Sequence, residues 1–226
     1  MNDQEEATRL QQATHTGSAP TRMKVAAVQA APVFLDLEAT VEKGCALIAE
    51  VAAAGASLAV FPETWIPGYP VWANADSRWN YGPSKKVYGL LYRNAVEVPG
   101  PAVARLCEAA RRHGIAVVMG INERTATGTM YNSMLFIDRD GRLLGVHRKL
   151  IPTYHERMVW GRGDGSTLSV FDSSVGRLGG LGRRPAGGVG HRLGGALVSQ
   201  QRPPPVAPLQ VILGRVDRDA VHPRRK

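Results

Sequence analysis

The sequence predicts an α/β fold. Short apolar runs suited to buried strands alternate with stretches whose apolar residues recur at helical spacing, and Asp140-Gly141 supplies a turn between two further strand-like runs. At 226 residues and 44% hydrophobic content, the chain is long enough for one sizeable domain.

Met23–Ala31 (MKVAAVQAA) is a compact apolar run closed by Pro32 and reads as a buried strand. A helix follows from Asp36, a candidate N-cap, to about Gly55; its apolar residues Val41, Cys45, Ile48 and Ala52 lie four, three and four apart. Residues 57–63 (SLAVFPE) form the second strand. Residues 64–98 read as an aromatic, loop-rich segment carrying Trp65, Trp72, Trp79, Tyr81, Tyr88 and Tyr92. A second helix fits 101–113, with Pro101 in its first turn, Val103, Leu106, Cys107 and Ala110 on its apolar face, and Gly114 at the C′ position. Residues 115–122 (IAVVMGIN) are the next strand, and 129–150 fold as a hairpin about Asp140-Gly141. No internal repeat is present.

Three segments are expected: a disordered lead over 1–22, a folded part over 23–181, and a tail over 182–226 that is rich in Gly, Pro and Arg and expected to be disordered. The net charge of +9 belongs mostly to the tail, where nine Arg/Lys face two acids. Two cysteines are too few for a disulfide framework, the lead lacks an apolar signal-peptide core, and no apolar run is long enough to span a bilayer. A cytoplasmic protein without membrane contact is the expectation. Nucleic-acid binding through the tail is disfavoured, because no recognition motif accompanies the arginines and the aromatics lie elsewhere.

Three stretches hold candidate chemistry. FPETWIPGYP (61–70) puts Glu63 at the carboxyl end of a strand, where α/β sheets form ligand sites. HRKL (147–150) puts Lys149 at the end of the hairpin's return strand, and PTYHERMVWGRGDG (152–165) brings Glu156 seven residues later. Two carboxylates and a lysine suit a general base, a cation for developing negative charge and a positioning partner. From spacing alone, a surface salt bridge plus ordinary loop charges is the favoured reading. Trp65, Tyr69 and Trp160 are candidates for a pocket wall, with core packing as the alternative.

These stretches, together with VFDSSVGRLGGL (170–181), resemble the nitrilase branch of the carbon–nitrogen hydrolase family over residues 23–181. The resemblance implies an α-β-β-α sandwich, here incomplete because the C-terminal part is replaced by a non-family tail. It also implies a Glu-Lys-Cys catalytic set, no metal and no cofactor, a small-molecule nitrile substrate, and a homo-oligomer or co-assembly with intact subunits. Glu63 matches the general base, Lys149 the residue that stabilises tetrahedral intermediates, and Glu156 the second carboxylate. The family's cysteine is expected at position 183, where this chain has Arg183. Cys45 and Cys107, the chain's two cysteines, lie on apolar helix faces and read as core residues. The expectation is therefore a chain that leaves the family pattern before its nucleophile and is inactive as written, with an out-of-frame reading of the gene as one origin of the tail. A non-catalytic subunit that joins intact ones is the alternative.

Overall fold

The computed structural model describes residues 23–75, 82–180 and 196–199. The lead 1–22, Trp79, Tyr81, the boundary at 181/182 and Arg183 lie outside these residues.

Five strands form one sheet in chain order: β1 (Val25–Ala27), β2 (Leu58–Val60), β3 (Ala116–Arg124), β4 (Met130–Ile137) and β5 (Leu143–Arg148). The first three are parallel, and β3, β4 and β5 pair antiparallel. The connections dictate this change. Helical crossovers separate the parallel strands, whereas tight turns join the others. At the β4–β5 turn Gly141 takes φ +83, the left-handed conformation that the Asp-Gly signal predicts.

Helices α1 (Leu37–Ala53) and α4 (Pro101–His113) cover one face of this sheet. The Asp36 side chain caps α1 by accepting the Ala39 N–H, and α4 runs from Pro101 to a left-handed Gly114, so both helices end where the sequence places them. Their apolar stripes bring Val41, Ile48, Val103 and Leu106 against Val117, Met119, Leu135 and Ile137. On the opposite face lies a second sheet of β6 (Val170–Ser173), β7 (Gly176–Gly180) and β8 (Ala196–Ser199). Phe171, Val175 and Leu178 pack there against Leu58, Val118, Met134 and Phe136. The layers run helix, sheet, sheet; among the described residues no second helix layer covers the outer sheet.

Two elements depart from the sequence reading. The 64–98 segment contains helices α2 (Trp72–Ala75) and α3 (Gly82–Arg93). Gly82, Pro83 and Gly89 blur the period of α3, whose Leu91 is buried with Tyr88 and Tyr92 packed beside it. Strand β8 falls in the tail, where no strand was expected at those residues. Its pairing with β7 takes up the backbone groups along that edge, with Gly180 opposite Ala196 and Arg177 opposite Ser199.

Candidate active site

The chain leaving β2 crosses over the end of β3. Phe61 N–H donates to Val118 O at 2.9 Å, Ile66 N–H to Gly120 O at 3.1 Å, and Asn122 N–H to Ile66 O at 2.8 Å. The crossing depends on Gly120, since a Cβ there would stand 2.1 Å from Pro62 O and 2.7 Å from Thr64 N. Glu63 is thereby fixed at the carboxyl edge of the parallel strands. Asn122 holds the next turn, its amide donating to Ile66 O and Gly68 O while Oδ1 accepts from Trp160 Nε1 at 2.9 Å.

Lys149 stands one residue past β5. Its backbone N–H donates to Asn132 O and its carbonyl accepts from Gly163 N–H, so the main chain is held on both sides. Its ammonium lies 2.8 Å from Glu63 Oε1 and 2.7 Å from Glu156 Oε2. Glu63 Oε1 also accepts from Asn132 Nδ2 at 2.6 Å. Glu156 is the N3 residue of a capping box with Thr153 in a 3₁₀ turn, Tyr154–Met158. Its Oε2 accepts from Thr153 N–H and its Oε1 from the Tyr69 hydroxyl at 2.8 Å.

The two carboxylates sit in different surroundings. The Lys149 and Glu156 side chains are 7% and 10% exposed, and Glu63 is 31% exposed. Burial pushes the Glu156 carboxyl up, but the Lys149 ammonium, the Thr153 N–H and the Tyr69 hydroxyl outweigh it and hold the group below the usual carboxylate range. Glu156 is thus a fixed anion, while Glu63 faces the more open side. An ammonium has three donors, and two point at these carboxylates, leaving one for a third acceptor.

Strand β7 runs toward this cluster. Near its start, the Ser174 N–H donates to Asp138 just past the end of β4; at its end, a Cβ on Gly180 would meet Met134 Cε at 2.7 Å. Moving along β7 is therefore moving along β4 from Asp138 toward Asn132, which holds Glu63.

The family model described as Carbon-nitrogen hydrolase matches residues 24–182. The chain belongs to the carbon–nitrogen hydrolase family. A nitrilase of Bacillus sp. (strain OxB-1) is 45% identical over 163 residues, covering 71% of this chain and 46% of that protein. An aliphatic nitrilase of Rhodococcus rhodochrous is 47% identical over 158 residues, covering 70% and 42%. The chain spans about half the length of the curated relatives it matches. A carbon–nitrogen hydrolase structure from Helicobacter pylori G27 shares the fold at a TM-score of 0.50 and 21% identity, over 67% of this chain and 49% of that one.

Within this carbon–nitrogen hydrolase fold, five of the six residues singled out from the sequence come together. Glu63, Lys149 and Glu156 form the cluster, and Tyr69 reaches it through its hydroxyl on Glu156; Trp160, 3% exposed, packs in the core with Met130 and Val159, edge to face on the Tyr69 ring with centroids 5.5 Å apart. Trp65 does not join them. Its ring is 2% exposed in the helix-side core against Phe61 and Gly44, and its Nε1–H donates to Ala30 O. Strict alternation would put Trp65 on the side of Glu63; the turn over 63–65, where Thr64 takes φ +47, sends it to the helix-side core instead. Cys45 and Cys107 sit on α1 and α4, packed against the helix-side core, and burial pushes both thiols up. Asn122, Asn132 and Thr153 were not singled out. The signal for the two asparagines was available: a polar residue in an apolar strand needs a partner. Among the described residues no helix is long and apolar enough to cross a membrane.

Proposed function

We propose that residues 23–181 build the base, cation and second carboxylate of a nitrile-hydrolysing site whose cysteine this chain lacks. The supporting observation is the Lys149 ammonium held between Glu63 and Glu156 at the mouth of the parallel strands. A nitrile is a poor electrophile and calls for a thiolate, while an ordinary thiol with a pKa of about 8.5 is mostly protonated at neutral pH. In this reading Glu63 takes the thiol proton, and the sulfur bonds to the nitrile carbon to give a thioimidate. Lys149 stabilises the charge that develops on the former nitrile atoms. Glu63 then activates a water that adds to the same carbon, ammonia leaves, and a second water releases the carboxylic acid. Glu156, fixed as an anion, holds Lys149 in place. The Tyr69 ring, backed by Trp160, offers an apolar surface beside the cluster suited to the organic part of the nitrile.

In the family pattern the nucleophile belongs three residues past Gly180, a reach of about 10 Å for extended chain. Position 183 is arginine, and no cysteine follows Cys107. A guanidinium offers five donors and no lone pair for attack, so it cannot stand in. The chain as written therefore holds a prepared site without its nucleophile, and a shifted reading frame after Leu181 accounts for the change in composition.

A chimera tests the assignment. Residues 1–181 are joined to the corresponding C-terminal part of the Rhodococcus rhodochrous aliphatic nitrilase, and ammonia release from an aliphatic nitrile is followed. Activity that Glu63→Gln and Lys149→Met each abolish supports the reading. A folded chimera that keeps its rate with either substitution contradicts it.

A further inference from the structure

Strand β7 is paired on both edges, to β6 and to β8, but few of its side chains fix its position over the five-stranded sheet. Gly176, Leu178 and Gly180 share the side turned toward the five-stranded sheet, so a single side chain, Leu178, packs there. Gly180 has no room for more, because a Cβ would come within 2.8 Å of Phe136 Cζ as well as 2.7 Å of Met134 Cε. A one-residue slip of a strand sends every side chain to the opposite face, and an apolar pattern of one residue resists this weakly.

A polar contact lies at the other end of the strand. Asp138 follows β4, and its backbone closes the β4–β5 turn: its N–H donates to Arg142 O and its carbonyl accepts from Gly141 N–H, each at 2.9 Å. Its buried carboxylate turns away from that hairpin to the β6–β7 turn. There it accepts from Ser174 N–H, 3.1 and 3.2 Å from the two oxygens, and from the Ser174 hydroxyl. The Arg139 N–H at 2.8 Å completes the set, and Arg142 Nη2 stands 3.7 Å away. Burial raises this carboxyl, but the Ser174 hydroxyl, the Arg139 and Ser174 N–H groups and Arg142 together bring it below its ordinary value.

We infer that Asp138 is a positioning residue: through Ser174 it latches the β6–β7 hairpin to the five-stranded sheet and sets the register in which β7 approaches Asn132 and Glu63. The latch stands on these contacts alone; that the strand delivers a nucleophile rests on the function proposed above.

Amide hydrogen exchange on the full chain tests the latch without reference to chemistry. Loss of a hydrogen bond to a charged group predicts roughly 10- to 100-fold faster exchange across Val170–Gly180 in Asp138→Asn and in Ser174→Ala, with Val117–Ile121 of β3 changing less than about twofold. The double variant exchanges more slowly than the product of the two single effects, because both substitutions act on one contact, of which Ser174→Ala removes the hydroxyl and leaves the N–H. Ser174→Thr, which keeps the hydroxyl, retains the original protection. Ser174 is exposed, so its variants leave the core intact even where Asp138→Asn disturbs folding. Unchanged exchange in β6–β7, or an equal acceleration in β3, overturns the inference.

Discussion

Replacing Lys149 by methionine removes the cation but keeps the volume of the side chain. Glu156 then stays in a pocket where its side chain is 10% exposed, with Thr153 N–H and Tyr69 as its remaining donors. Breaking a buried pair by removing one partner costs about 3–5 kcal/mol. Glu63 adds less, because its side chain is 31% exposed and water screens it. With an urea slope of about 2 kcal/mol per M, the unfolding midpoint at pH 7.5 falls by about 2 M. The sign of the pH dependence is diagnostic. In the unaltered chain Glu156 lies below the usual carboxylate range, so its stabilisation is present above that range and is lost on acidification. Without Lys149 burial dominates, the carboxyl rises, and stability is lost as pH increases through the raised value. The variant is therefore penalised more at pH 7.5 than at pH 4.5. Urea unfolding at both pH values is the assay. A penalty below about 1 kcal/mol, or one equal at both pH values, shows a solvent-screened surface pair and refutes the buried-cluster reasoning.

Three further outcomes follow from the same geometry. Gly120→Ala drives a methyl into Pro62 O and Thr64 N, so a loss of about 1–3 kcal/mol in urea unfolding is expected; an unchanged midpoint contradicts the crossing. Tyr69→Phe removes the hydroxyl from Glu156 Oε1, and carboxyl NMR titration should show the Glu156 pKa rising; a constant value argues against that bond. Acidification of the unaltered chain should lower the urea midpoint as pH falls through the depressed values of Glu156 and Asp138, and a midpoint flat from pH 6 to pH 3 is inconsistent with their pairing.

What could be read from the sequence was what short-range chemistry controls. Asp36 caps α1, Pro101 and Gly114 bracket α4, and Asp140-Gly141 turns the hairpin, because each effect acts within a few residues of its cause. Glu63, Lys149 and Glu156 were found through motifs, yet their meeting depends on contacts far apart in the chain. Asn132 reaches Glu63 across 69 positions, and Gly120 makes room for a turn formed some 57 residues earlier. Helix α3 was missed because its glycines and Pro83 weaken the period, although Leu91, Tyr88 and Tyr92 pack on one core. Trp65 was left between a pocket wall and core packing, and it packs in the core, a distinction that composition does not carry.

Ammonia release from a panel of aliphatic and aryl nitriles by the purified 226-residue chain tests the proposed absence of a nucleophile directly. With arginine at position 183 and no cysteine after Cys107, the release should equal that of the Glu63→Gln variant and of buffer. Turnover that Glu63→Gln abolishes would mean that another group attacks the nitrile, and the missing-nucleophile reading would be wrong.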